Sequence, residues 1–151
     1  MKLSKGKNIA FVGRLSHEKG PDYCIDLARS LPDKVFHIYG GGPLMAELKS
    51  ASPMNIVYHG EKASMDDHWE NIGLLLVTSR YEGLPMTVLE SMGRGIPVIG
   101  FNVGGLSTVI ASGENGWLTE KGDLQAIRGR LLEWCDMKTS KRVALGEMAR
   151  R

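Results

Sequence analysis

Two carboxylates with seven residues between them carry the clearest chemical signal in this chain. Residues 79–99 read SRYEGLPMTVLESMGRGIPVI. Glu82 sits beside Gly83, Leu84 and Pro85, and Glu90 lies two turns into the apolar helical pattern that follows. Free N–H groups and the positive end of the dipole make a helix start favourable for anions. Gly83 lets backbone approach a ligand closely, and Leu84 still donates its N–H. Arg14 and Lys19 lie in GRLSHEKG, after an earlier apolar run. A guanidinium fork and an ammonium point charge together suit a diphosphate. Glu90 would then stand beside the flank of the helix, where a carboxylate can accept from two vicinal ribose hydroxyls. Glu82 would face the other end of such a ligand. The set can grip a nucleotide sugar, with the diphosphate in the middle.

Each residue also has a plainer reading. Glu82 would complement a helix dipole. Glu90 and Arg94 would form a solvated i, i+4 pair worth ~0.2–0.5 kcal/mol. Arg14 and Lys19 would be ordinary surface charges. Taken singly, each residue favours that reading. Taken together the balance shifts, because all of them fall at or beside the ends of apolar runs.

Those runs must position them. NIAFVG (8–13), KVFHIYG (34–40), NIVYHG (55–60), IGLLLVT (72–78) and IPVIGF (96–101) read as strands, the fourth being the most continuously apolar. Strands apolar throughout are covered on both faces. Between them lie helical patterns. One opens at Pro21, with Cys24, Leu27, Ala28 and Leu31 on one face. Another follows GGGP, MDDHWEN reads as a short helix, and PMTVLESMGRG starts at Pro85. After residue 101 come a glycine-rich turn, a short helix and a sixth short strand or extended piece. A closing helix carries Leu124, Ile127, Leu131 and Trp134 on one face. KTSKRVALGEMARR reads as a further helix whose partner surface is missing from the chain. The alternation predicts an α/β fold, a Rossmann-like doubly wound parallel sheet of about six strands in one domain. Ligands in such sheets bind past the carboxyl ends of the strands, where these loops lie.

Composition excludes several classes. The chain has 151 residues and a formal net charge of +2, without the clustered basic stripe of a nucleic-acid binder. Cys24 and Cys135 form no CxxC and read as reduced thiols, which points to a cytoplasmic setting. His17, His37, His59 and His68 show no metal-ligand spacing. Lys2, Lys5 and Lys7 precede an apolar run too short for a secretory signal. The longest apolar run is far short of a bilayer span. GxGxxG does not follow the first strand, and no GxxxxGK[ST] is present, which removes a dinucleotide fold and a P-loop.

From Asn8 to about Trp134 the chain resembles the C-terminal, donor-binding domain of GT-B glycosyltransferases of family 4, the retaining group. GRLSHEKG matches that family's G-R-x-x-x-x-K-G, and GGGP its G-x-G-P. The 79–99 block matches S-x-x-E-G-x-x-x-x-x-x-E-A-x-A-x-G-x-P-V-I. GGLSTVIASGENGWL matches G-G-x-x-E-x-I-x-x-G-x-x-G. GxGP alone is weak, and the ordered set is strong. Ser91 and Gly93 stand where the family prefers Ala, and Thr108 where it usually carries an acid.

The resemblance implies roles residue by residue. Arg14 and Lys19 bind the donor diphosphate and stabilise its charge. Glu82 contacts the transferred sugar and Glu90 the ribose. The Gly83-Leu84-Pro85 backbone contacts phosphate or sugar, and Gly13 allows close approach. The base would lie near His59 and Gly60, and near Ser79 and Arg80. The implied ligand is a UDP-, GDP- or ADP-sugar, with no metal and no other cofactor. An N-terminal acceptor domain of the same parent is also implied, so that this chain is a fragment, inactive alone. The setting would be cell-surface polysaccharide or lipopolysaccharide synthesis, in the cytoplasm or at the inner face of the membrane. Two alternatives stand beside this: a non-catalytic nucleotide-sugar binding module, or a GT-B epimerase or phosphorylase.

Overall fold

A computed structural model describes residue 4 and residues 6–151; Lys2 and Lys5 lie outside the described residues. Six strands form one sheet: β1 (Asn8–Val12), β2 (Phe36–Tyr39), β3 (Ile56–Gly60), β4 (Ile72–Val77), β5 (Val98–Phe101) and β6 (Gly116–Thr119). Their order is β3-β2-β1-β4-β5-β6, and every pairing is parallel. This is the doubly wound arrangement. β1 and β4 occupy the centre and are nearly continuous in buried residues: Ile9, Ala10 and Phe11 in one, Ile72 and Leu74 to Val77 in the other. A strand covered on both faces has no reason to alternate, which is why periodicity of two is absent from these runs.

The helices are α1 (Pro21–Ser30), α2 (Met45–Ala51), α3 (Met86–Gly93), α4 (Leu124–Asp136) and α5 (Thr139–Arg150). Pro21 occupies the first turn of α1, as its missing N–H permits. Asp123 caps α4 by accepting from the Ala126 N–H at 3.0 Å. From β1 the chain moves outward to β2; from β4 it moves the other way to β5. With right-handed crossovers, α1 and α3 therefore cover opposite faces. The helix contacts agree: α1 packs against α2 and α4, and α3 against α5.

Two expectations are refined. MDDHWEN, read as a short helix, is helical only in its last three residues: turns close in a 3₁₀ helix at Trp69–Asn71, part of the crossover from the β3 edge to the sheet centre. Trp69 fixes it by complete burial, with the Arg94 guanidinium 5.8 Å from its ring centroid. The last helix also has its partner surface within the chain. α5 buries Leu145, Gly146 and Ala149 and packs on α3. Arg142 ties it to α4 as well, donating to the Trp134 and Cys135 carbonyls at 3.0 and 2.7 Å over the Trp134 ring. These are carbonyls at the C-terminus of α4, where a cation is favoured. The signal missed in the sequence was Gly146. An ideal Cβ there would stand 2.4 Å from the Gly95 carbonyl oxygen, so a small residue marks the seam.

Gly146→Ala is expected to push α5 off this seam and to cost about 1–3 kcal/mol by overpacking. Thermal unfolding of the two chains checks it. An unchanged midpoint would mean that α5 is held by Arg142 alone.

Candidate functional site

The strand order reverses between β1 and β4, and the crevice outside their carboxyl ends is where such sheets bind ligands. Gly13, Arg14, Lys19, Glu82, Gly83, Leu84 and Pro85 fall on the segments leaving these two strands, and Glu90 lies on α3. Lys19 ends a 3₁₀ turn, His17–Lys19, after β1. Glu82 lies in the loop after β4. The structure joins them: Lys19 Nζ is 2.7 Å from Glu82 Oε1. Ser79 Oγ donates to Glu82 Oε2, also at 2.7 Å. The Glu82 side chain is only 7% exposed, so its charge needs these donors.

Close backbone approach makes the contact possible. Gly20 follows Lys19 in the left-handed region, and an ideal Cβ on it would lie 2.0 Å from the Thr78 carbonyl oxygen. Thr78 Oγ1 donates to the Gly20 carbonyl at 2.9 Å in return. On the far side, an ideal Cβ on Gly104 would lie 1.8 Å from the Glu82 carbonyl oxygen. The Gly105 N–H donates to the Gly83 carbonyl at 2.8 Å. The Glu82–Gly83 loop is thus laid between the loops after β1 and β5.

Arg14 is exposed and makes no hydrogen bond or ion pair with any described residue. Gly13 donates its N–H to the Tyr39 carbonyl at 3.0 Å. A Cβ on Gly13 would meet only the Phe11 ring, at ordinary contact distance. Gly83 is exposed, with nothing within 4 Å of an ideal Cβ, and Leu84 is exposed beside it. Pro85 stands at the N-cap of α3, and no side chain caps that helix start. In the first turn the Val88 N–H donates to the Pro85 carbonyl at 3.1 Å, while the Met86 and Thr87 amides have no intrahelical acceptor and remain available to an anion.

Glu90 lies half-buried on α3. The i, i+4 pair with Arg94 does not form. Arg94 donates instead to Asp66 at 3.2 Å and to the Glu90 main-chain carbonyl at 3.3 Å. The Glu90 carboxylate keeps its acceptor capacity. Ser91 is buried and donates to the Val88 carbonyl at 3.1 Å, which accounts for a small polar residue there. Thr108 closes a 3₁₀ turn, Leu106–Thr108, through the Gly105 carbonyl.

Near the carboxyl end of β3, His59 stacks on Tyr39 with ring centroids 4.1 Å apart. Its Nε2 is 2.9 Å from His37 Nδ1. Burial holds both imidazoles below their ordinary pKa, and His37, Lys62 and His68 push His59 the same way. Both rings are therefore neutral at pH 7, one donating and one accepting.

Arg80 is engaged by other groups of the chain. Its Nη1 and Nη2 donate to Asp22 Oδ1 and Oδ2 at 2.8 and 2.6 Å. Nη1 also donates to the His17 carbonyl at 2.9 Å. Its guanidinium carbon lies 4.6 Å from the Tyr23 ring centroid. Sequence reading missed this pair and the Ser79 bond, because Asp22 in a first helical turn reads as an ordinary dipole complement.

The family model for glycosyl transferases group 1 matches residues 2–151. The chain belongs to that family. It is 36% identical over 124 residues to the UDP-N-acetylglucosamine–peptide N-acetylglucosaminyltransferase GtfA subunit of Streptococcus parasanguinis, covering 73% of this chain and 24% of that protein. It is 31% identical over 137 residues to the lipopolysaccharide core biosynthesis mannosyltransferase LpsB of Rhizobium meliloti, covering 80% of this chain and 39% of that protein. The chain thus spans well under half the length of these curated relatives. HepE of Anabaena, solved in complex with UDP-glucose, superposes with a TM-score of 0.85 at 22% identity, over 97% of this chain and 43% of that one. That likeness shows the fold, the Rossmann-like domain of GT-B glycosyltransferases.

The Asp22 carboxyl is held below its ordinary pKa of 3.8, first by its hydrogen bonds from Arg80 and then, against the opposing effect of burial, by the Arg80 charge. A depressed folded-state pKa contributes stability that is fully present above the unfolded value and is lost as pH falls through the folded one. Acid unfolding of Asp22→Asn should therefore lack this part of the pH dependence below about pH 4. A low-pH limb identical to that of the parent chain would show that the pair contributes no net stability.

Proposed function

We propose that this chain is the C-terminal, donor-binding half of a retaining, family 4 glycosyltransferase. In the parent, a sugar passes from a nucleotide-diphosphate sugar to an acceptor hydroxyl. The observation that carries this reading is the Lys19–Glu82 contact across the β1/β4 switch point. Arg14, unpaired among the described residues, lies on the same loop as Lys19, and the uncapped start of α3 follows Glu82 in the chain. The relatives' names supply the ligand class: one acts with UDP-N-acetylglucosamine, and HepE was solved with UDP-glucose. A UDP-sugar is thus the first donor to test, with GDP- and ADP-sugars beside it.

In this reading Arg14, Lys19 and the α3 amides hold the diphosphate. They stabilise the charge it gains as the bond from the sugar's anomeric carbon to the phosphate oxygen breaks. The acceptor oxygen bonds to that carbon on the same face, and its proton passes to the leaving diphosphate. Glu82 accepts from hydroxyls of the transferred sugar, and Glu90 from the ribose diol. Cationic side chains and helix amides take the charge-stabilising role, so no metal is required. The acceptor would be bound by an N-terminal domain of the same parent. Lipopolysaccharide or other cell-surface polysaccharide synthesis, at the cytoplasmic face of a membrane, is the setting we favour. Among the described residues no helix is long and apolar enough to cross a membrane. A non-catalytic module is the second reading, and the retained Arg14, Lys19, Glu82 and Glu90 weigh against it.

Calorimetric titration with UDP, GDP, ADP and their glucose conjugates, with and without EDTA, tests the donor site. One diphosphate series should bind regardless of chelator; loss of binding with EDTA would overturn the metal-free reading. Arg14→Ala should weaken the diphosphate by roughly 10–100-fold, the scale of one or two charge-assisted hydrogen bonds, and leave the bare nucleoside nearly unchanged. An equal loss for both would remove the phosphate assignment.

For the ribose, Glu90→Gln should weaken any bound nucleotide by about tenfold. The matching 2′,3′-dideoxy nucleotide should bind the parent chain and Glu90→Gln alike. Unchanged nucleotide affinity in Glu90→Gln would exclude the diol contact.

A further inference from the structure

We propose that Arg80 is a positioning residue of the donor site, setting where Glu82 stands relative to Lys19 through its fork on Asp22. The observations converge on one short stretch. Besides its side-chain bonds to Asp22 and the His17 carbonyl, Arg80 donates its main-chain N–H to the Glu18 carbonyl at 2.7 Å. Every one of these acceptors belongs to the 3₁₀ turn that ends in Lys19 or to the first turn of α1 just after it. Lys19 therefore belongs to the segment that Arg80 grips, and Glu82 follows Arg80 by two residues.

The grip is directional. The two parallel bonds to Asp22 fix the guanidinium plane, and the third bond, to a carbonyl, fixes its position along the loop. The Tyr23 ring backs it at 4.6 Å, and Tyr23 is itself held edge-on to Phe101 in β5, with centroids 5.0 Å apart. Arg80 is therefore seated on the sheet rather than swinging in solvent, with its side chain 18% exposed. Gly105 anchors the same loop from the other side, at Gly83. Glu82 lies between the two anchors and has little freedom of its own. A lysine could keep the charge at position 80 but not the fork together with the carbonyl bond.

The catalytic consequence rests on the donor-site reading above, while the positioning itself does not. The experiment separates them. Amide hydrogen exchange of this chain, as parent, Arg80→Ala, Arg80→Lys and Asp22→Asn, reads the loop directly. Exchange at residues 80–84 and 17–19 should rise about tenfold or more in all three variants, with β1, β4 and α1 protected as in the parent. Exchange rising equally across the whole chain would reduce Arg80 to a stability role. Unchanged exchange, or full rescue by lysine, would overturn the fork. Should Arg80→Ala fail to fold, Arg80→Lys and Asp22→Asn decide the same question.

The second arm titrates UDP, GDP and ADP. If the parent chain binds one of them, the variants should bind it about tenfold more weakly, with Arg80→Lys unrescued. Parent-like affinity in the variants would remove the link to the donor site. If the parent chain binds none, the donor-site reading fails for this chain, and the exchange arm still decides the positioning.

Discussion

The crevice exists because the chain leaves two neighbouring strands in opposite directions. After β1 it turns to one face of the sheet, and after β4 to the other, so the two loops part from the strand ends in opposite directions. The ion pair between Lys19 and Glu82, at 2.7 Å, bridges those loops. Its position depends on backbone that could not carry side chains. Gly20 against Thr78 brings in one loop, and Gly104 against Glu82 brings in the other. These glycines cost conformational entropy in folding. In return they place a nearly buried carboxylate within reach of an ammonium group.

Much of the scaffold was legible because strands buried on both faces show themselves as unbroken apolar runs, as in IGLLLV. The five clear runs and the sixth extended piece became the six parallel strands. Ends were less legible. Residues 34 and 35 precede β2, and residues 96 and 97 precede β5. Ile96 is nonetheless fully buried, so hydrophobicity ran past the point where pairing begins. MDDHWEN became helical only at its end, as the 3₁₀ turn Trp69–Asn71. Its Trp69 is fully buried in the core and Met65 packs against that core. The partner of α5 was hidden because Gly146 signals close packing only when Gly95 is known to lie opposite.

Within the site, residue type and order located Lys19 and Glu82, and the structure brought them together. Their partners escaped notice for a physical reason. Ser79, Asp22 and Arg80 act through contacts that span elements distant in sequence: Arg80 and Asp22 are 58 positions apart. A local pattern carries no record of that. The Glu90–Arg94 spacing shows the reverse. Its i, i+4 separation allowed a bond, yet Asp66 and the Trp69 face draw the guanidinium away. An exposed pair of that kind is worth only a few tenths of a kcal/mol, so a competing anion and an aromatic ring outweigh it.

That weak preference matters for the chemistry because it leaves the Glu90 carboxylate with open lone pairs. Glu82 is different, with each oxygen already accepting one bond. An ionised carboxylate has about four acceptor positions, so one remains on each oxygen. A ligand hydroxyl could therefore bond to Glu82 without displacing Ser79. Lys19 is a third exposed while Glu82 is nearly buried, and this asymmetry decides which partner can move. A diphosphate arriving in the crevice would compete for the ammonium group, which can turn toward it on a flexible stem. The carboxylate would stay, held by Ser79 and by a loop pinned on both sides. Removing Lys19 altogether would strand a buried charge, which is more damaging than re-aiming it. In the Lys19–Glu82 pair the exposed, mobile charge is thus the cation, and the nearly buried, fixed one is the anion.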